Sequence, residues 1–400
     1  MNVTRGMRLH IGFFGKRNAG KSTLVNKISG QELSIVSDTK GTTTDVNQKA
    51  MELLPVGPVV LLDTAGIDDI GELGSLRVDK TLKALIRCDV AVFVCDNEKL
   101  SGIEKEFIKK IKENNSKIIT VINKIDLGEP DKDDYEFLKE NSDGVLKTSA
   151  NKKDDFIFEF KKLLVELSPD DFINQGIIMK DIVKENETCI LVIPIDKEAP
   201  KGRIILPQVN ALREMLDNNS ISVVCTEKGL KNALLCLKNP PKLVVTDSQA
   251  FKEVAEIVPE NIMLTSFSIL FARLKGDLIS LYEGSKKIDN LKDNDKILIL
   301  ESCTHHPVED DIGRVKIPKL LKNYTKKNLI FEHYSGHDFP DDIKKYSLII
   351  HCGACMTNRR EVLNRIEIAN KNNVAMTNYG IAIAKCTGIL KRAIKPLLNS

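Results

Sequence analysis

The sequence has no surplus of charge, no long apolar run and no internal repeat, and each lack removes a class of protein. Its 59 basic residues are nearly matched by 56 acidic ones, leaving a net charge of +3. That balance gives no reason to expect a surface built for nucleic acid. Clusters such as Lys109–Lys112 and Lys286–Lys287 sit among acids and read as solvated faces. No stretch approaches the roughly 20 apolar residues of a bilayer-spanning helix. The first apolar run leads straight into a glycine-rich turn instead of a signal-peptide cleavage site. No membrane role is therefore expected, and a cytoplasmic setting is. In a reducing cytosol the nine cysteines read as buried thiols or metal ligands, not disulfides.

What is present is a chain of 400 residues, about 42% hydrophobic and 29% charged, an ordinary soluble composition. It is too long for one core and should form two to four domains. Leu9–Phe14 reads as a strand, followed by a turn matching G-x-x-x-x-G-K-[ST] at Gly15, Gly20, Lys21 and Ser22, with a helix opening at Lys21. The turn's backbone N–H groups, with Asn18, Ala19 and Thr23 beside them, would cradle phosphates. Lys21 would reach the terminal ones and Ser22 would hold Mg²⁺. Val59–Gly66 is an apolar strand ending in D-x-x-G: Asp63 would reach Mg²⁺ through water and the Gly66 N–H would sense the γ-phosphate. Thr43, within Gly41–Asp45, is the candidate that closes over Mg²⁺ and that phosphate. Val121–Asp126 ends in N-K-x-D, with Asn123, Lys124 and Asp126. A carboxylate at Asp126 accepts from guanine N1–H and its amine, which adenine does not offer. Thr148, Ser149 and Ala150 resemble the loop that backs the base. Four ordered motifs make this a P-loop GTPase domain for GTP and GDP, and it resembles the Ras-like and TrmE-like GTPases.

Two positions qualify the mechanism. Ile67 stands where Ras-like enzymes carry a water-orienting glutamine, so hydrolysis should be slow or completed in another way. Asn18 matches the asparagine that binds K⁺ in TrmE-like GTPases, which implies potassium activation. His10, Cys88 and Cys95 read as core residues.

Beyond Leu167 the sequence Ser168-Pro169-Asp170-Asp171 makes a break. A β-α-β rhythm follows through Glu187–Asp196 and two further Val-rich strands, favouring a parallel sheet. Cys189, Cys225 and Cys236 are expected in its core. No catalytic set is visible there, and the strands would suit a sheet continued across a dimer interface.

The last third places Cys303, His305 and His306 after an apolar strand at Ile297–Leu300, and His351, Cys352 and Cys355 after another at Leu348–Ile350. Sites in open α/β sheets form at the carboxyl ends of strands, so both groups should share an edge. Three readings stay open on chemistry alone. One is a zinc site of Cys303, His305, Cys352 and Cys355. Another is an iron–sulfur cluster on the three cysteines, with His305, His351, Glu301 or nothing in the fourth position. The third is chance placement of ordinary thiols. Cys386 reads as core.

The GTPase motifs, the APKGRIILPQ stretch and C-T-H-H with a distant H-C-G-A-C together resemble the HydF family of FeFe-hydrogenase maturation GTPases, over essentially the whole chain. The resemblance implies three α/β domains: GTP-binding at 1–168, dimerisation at 169–262 and cluster-binding at 263–400, the last two mainly parallel-sheet. It implies a 4Fe-4S cluster on Cys303, Cys352 and Cys355 with a labile fourth position, and a homodimer acting as a scaffold. A transient diiron precursor made by radical-SAM maturases would be assembled there and delivered to apo FeFe-hydrogenase. The alternatives are a ribosome- or tRNA-associated TrmE/Era-like GTPase with a structural zinc module, or a redox enzyme with four firm cluster ligands.

Overall fold

Strands whose residues are apolar without alternation need cover on both faces, and that requirement organises the whole molecule. The computed structural model describes residues 5–30, 46–69, 72–149, 155–169, 172, 176–195, 204–302 and 311–398. They divide into two compact units, Met1–Gln175 and Gly176–Ser400.

In the first unit β1 (Leu9–Phe14), β2 (Asn47–Leu53), β3 (Gly57–Asp63), β4 (Val90–Cys95), β5 (Lys117–Ile122) and β6 (Gly144–Lys147) form one sheet. Its order is β2-β3-β1-β4-β5-β6, parallel except for β2 against β3. Successive side chains point to opposite faces, so Phe13 joins Leu24 and Phe160 in one core while Phe14 joins Phe93 and Ile108 in the other. The helix Phe156–Leu167 covers the first face through Phe156, Phe160 and Leu164. His10 and Cys95, on strands, and Cys88, just before β4, are buried.

The second unit holds two parallel sheets. β7 (Thr188–Val192), β8 (Ile221–Cys225), β9 (Leu243–Thr246) and β10 (Met263–Ser266) run in the order β10-β9-β7-β8, with β8 at an edge. β11 (Lys296–Glu301), β12 (Ile330–Ser335), β13 (Leu348–His351) and β14 (Ala375–Asn378) run β12-β11-β13-β14. A single apolar cluster takes Ile190 and Val244 from one sheet and Leu298 and Ile349 from the other. The helix Phe267–Lys275, which follows β10 directly, is buried on most sides and belongs to that shared core. The strand expected over Glu187–Asp196 is shorter, because Pro194 has no N–H to continue the ladder. Cys189 is buried as expected, but Cys236 is exposed and Cys225 half-buried, a correction to their placement in the core. The helix Leu230–Cys236 buries Leu230 and turns its last residue to solvent. Among the described residues no helix is long and apolar enough to cross a membrane.

Phe160 packs against Phe156 at 5.6 Å and Phe13 at 6.5 Å between ring centroids. Phe160→Ala should destabilise the first unit by about 3–5 kcal/mol. Peptide-resolved hydrogen exchange should show faster exchange in residues 5–169 and none of it in residues 204–302.

Candidate functional site

The turn after β1 exists because two glycines permit it. Gly15 and Gly20 have φ of 144° and 97°, and a Cβ on Gly15 would lie 2.0 Å from the Val94 carbonyl oxygen. Asn18 also has positive φ, 62°, a conformation asparagine tolerates. The turn delivers the chain to the helix Lys21–Ser29. Asn18, Lys21, Ser22, Asp63 and Gly66 line one cavity of about 390 Å³, with Arg77 and Lys80 contributed from the helix Glu72–Ile86.

The charges in this cavity are held in tension. Burial lowers the Lys21 ammonium against the raising influence of Asp63 and Asp68. Its Nζ donates to the carbonyls of Gly15 at 2.9 Å and Lys16 at 2.7 Å. Burial pushes the Asp63 carboxyl up, opposed by a hydrogen bond from Ser22 and the charge of Lys21. Asp63 Oδ1 is buried without a hydrogen-bond partner among the described residues. An acceptor left so beside a serine hydroxyl suits a divalent cation or its water.

Asn123 Nδ2 donates to the Ala19 carbonyl at 2.9 Å, tying the end of β5 to the phosphate loop. Lys124 Nζ reaches Asp96 at 3.2 Å, and Lys27 Nζ reaches the Ser149 carbonyl at 3.2 Å. Thr23 and Asp126 are exposed. Thr43 and Ala150 lie outside the described residues.

The second candidate site stands at the ends of β11 and β13. The two strands pair in parallel with Leu300 opposite His351. The Cys352 N–H then donates to the Leu300 carbonyl at 2.8 Å, carrying the chain across the end of β11. The result is contact between two segments 50 positions apart: the Ser302 N–H donates to Cys352 Sγ at 3.1 Å. Ser302 Oγ lies 3.3 Å from the same sulfur, and the Ala354 N–H lies 3.5 Å from it. Burial raises the Cys352 thiol, opposed by hydrogen bonds from Ser302 and the Ala354 N–H. Cys355 is pushed up to about 11 by burial and by the neighbouring Cys352. A sulfur that accepts from backbone N–H groups suits a soft metal centre. Cys303 and His305 lie outside the described residues, and among the described ones no group of three His, Cys, Asp or Glu side chains is gathered for a metal. Glu301 is buried, with Oε1 accepting from the Tyr379 hydroxyl at 3.3 Å and Oε2 at 3.9 Å from Arg314.

Behind His351 lies a polar network that the motifs did not reveal. Arg365, 2% exposed, places Nη1 2.9 Å from His351 Nε2. Arginine only donates, so Nε2 accepts and the ring proton sits on Nδ1, 2.9 Å from the Cys352 carbonyl oxygen. Arg365 also pairs with buried Glu361 at 2.6 Å and donates to the Gly336 carbonyl at 3.1 Å. Glu361 in turn meets His337 at 3.0 Å. Lys275, also buried, donates to the Thr357 carbonyl at 3.2 Å, two residues past Cys355.

Residues 178–276 match the hydrogen maturase F dimerization domain and residues 279–396 the hydrogen maturase F tetramerization domain, together more than half of the chain. The chain belongs to the hydrogen maturase F family. Residues 10–124 match a model described as 50S ribosome-binding GTPase, which marks the first unit as a GTPase domain. The GTPase Der of Clostridium acetobutylicum is 38% identical over 141 residues, 33% of this chain and 31% of that protein. The tRNA modification GTPase MnmE of Caldicellulosiruptor saccharolyticus is 37% identical over 117 residues, 28% of this chain and 25% of that protein. The chain thus spans about a third or less of the length of these curated relatives. Among solved structures, Era of Aquifex aeolicus bound to GDP and AlF4⁻ matches 62% of this chain and 97% of that one, at 20% identity and a TM-score of 0.34.

Arg365→Met removes the cation from buried Glu361, a change that costs about 3–5 kcal/mol in comparable pairs. Melting of the second unit should fall accordingly, while GDP titration should find the affinity of the first unit unchanged.

Proposed function

We propose that this chain is a GTPase that carries an iron–sulfur cluster and serves FeFe-hydrogenase maturation. The observation that carries the reading is the parallel pairing of β11 with β13, which brings Ser302 against the Cys352 sulfur in a member of the hydrogen maturase F family. The domain limits proposed from the sequence, 1–168, 169–262 and 263–400, assign nucleotide, association and cluster to successive segments.

In the GTPase domain the loop from Gly15 to Thr23 cradles the phosphates of GTP or GDP. Ser22, Asp63 and Thr43 hold Mg²⁺, Asn18 holds K⁺, and the Gly66 N–H senses the γ-phosphate. Asp126 reads guanine, while Asn123, Lys124, Ser149 and Ala150 frame the base. Ile67 supplies no polar group for water, which fits slow hydrolysis.

In the second unit Cys303, Cys352 and Cys355 hold a 4Fe-4S cluster. When bound, it offers an iron position that another metal fragment can occupy and leave. His305, His351 and Glu301 are the donors in reach of that position by sequence; His351 would have to release Arg365 before either ring nitrogen could ligate. The diiron fragment is cargo, received from radical-SAM maturases and passed to the apo-hydrogenase. Association places β8 at a shared edge: it ends its sheet, and Ile221 and Val224 are 52% and 50% exposed. Loops ordered by the γ-phosphate and relaxed by hydrolysis supply the switch.

Anaerobic purification with iron and sulfide analysis tests the cluster. About four of each per chain are expected, with loss in Cys303→Ser, Cys352→Ser and Cys355→Ser; a colourless protein with stoichiometric zinc would favour the ribosome-associated alternative. GTP turnover should be several-fold faster in KCl than in NaCl, and equal rates would remove potassium from the site.

A further inference from the structure

Among the described residues, the position after D-x-x-G offers no group to orient the attacking water. Ile67 is 5% exposed and packs with Phe14, Leu62 and Phe93 in the core. Its N–H donates to the Gly15 carbonyl at 3.2 Å, so the chain at this point is fixed to the phosphate loop. The next residue carries a carboxylate against the phosphate loop. Asp68 Oδ1 accepts from the Arg17 N–H at 2.7 Å. Arg17 and Gly66 both line the phosphate cavity. A Cβ built on Gly66 would lie 2.8 Å from Asp68 Oδ1 and 2.8 Å from the Arg17 nitrogen, so the carboxylate is packed directly against the glycine of D-x-x-G. The Asp68 charge favours the protonated ammonium of both Lys16 and Lys21. Asp69, the neighbouring carboxylate, is already engaged by Arg77 at 3.5 Å.

We propose that Asp68 is a further catalytic residue of the GTPase reaction, where it holds and deprotonates the water that attacks the γ-phosphorus. The inference rests on the GTPase reading above. In the step, the water oxygen bonds to the γ-phosphorus. The bond from that phosphorus to the β–γ bridging oxygen breaks, and its electron pair leaves on GDP. The water proton passes to the Asp68 carboxylate and from there to the departing phosphate. No further reactant is needed.

The test uses the full chain with Mg²⁺ and KCl, comparing wild type with Asp68→Asn, Asp68→Ala and Asp68→Glu. GTP turnover and binding of fluorescent GDP are measured on each. A fall in kcat of about 100-fold is expected for Asn and Ala, the range lost with a general base, with GDP affinity unchanged and Glu recovering part of the rate. A kcat within about threefold of wild type in Asp68→Ala would overturn the proposal. So would a variant that binds GTP more tightly and turns it over normally, since Asp68 would then only occupy the phosphate site. A wild-type chain that binds no guanine nucleotide would overturn the GTPase reading itself, a result distinct from either.

Discussion

Parallel pairing of strands is the constraint from which both sites follow. In a parallel sheet every strand ends on the same edge, so residues far apart in sequence meet there without a dedicated connection. Gly15 follows β1, Asp63 ends β3, Asn123 follows β5 and Thr148 follows β6, all at one edge of the first sheet. The same geometry in the last sheet puts Ser302 after β11 beside Cys352 after β13. Central strands buried on both faces make those edges stiff, and the loops that carry chemistry hang from them.

The two edges are stabilised differently. At the phosphate cavity, backbone does most of the positioning: glycine conformations, the Asn123 bond to Ala19 and the Ile67 bond to Gly15 hold the loops against each other. At the cysteine edge, side chains do it. A buried Arg365–Glu361 pair, with His337 on its carboxylate, locks the ring of His351 in one tautomer and binds the strand end to the helix Arg359–Lys371. Such a network costs desolvation and returns specificity of arrangement. It fixes the direction of the Cys352 backbone, which decides where its sulfur points.

Sequence reading recovered the first unit well because its motifs are local. Spacing alone places Gly15, Asp63 and Asn123 on strand ends and Lys21 at the helix that follows one, and strand ends on a parallel sheet converge. It also put the ends of β11 and β13 at one edge, since both are short apolar strands. What it missed depends on tertiary burial. Glu361 and Arg365 stand four apart on a helix, a pattern that on most helices is a solvated pair; only packing against β13 buries it. Asp68 was hidden for a different reason, because the glutamine position next to it drew attention to what was missing. Cys236 was placed in the core by composition, and the direction of its short helix put it outside.

The central claim is that the ends of β11 and β13 form the metal-holding face of this family member. Anomalous diffraction at the iron edge, from crystals grown anaerobically after cluster reconstitution, tests it most directly. The account predicts iron density bonded to the sulfurs of Cys352 and Cys355, beyond Ser302. Iron elsewhere in the chain, or a signal at the zinc edge in its place, would contradict it.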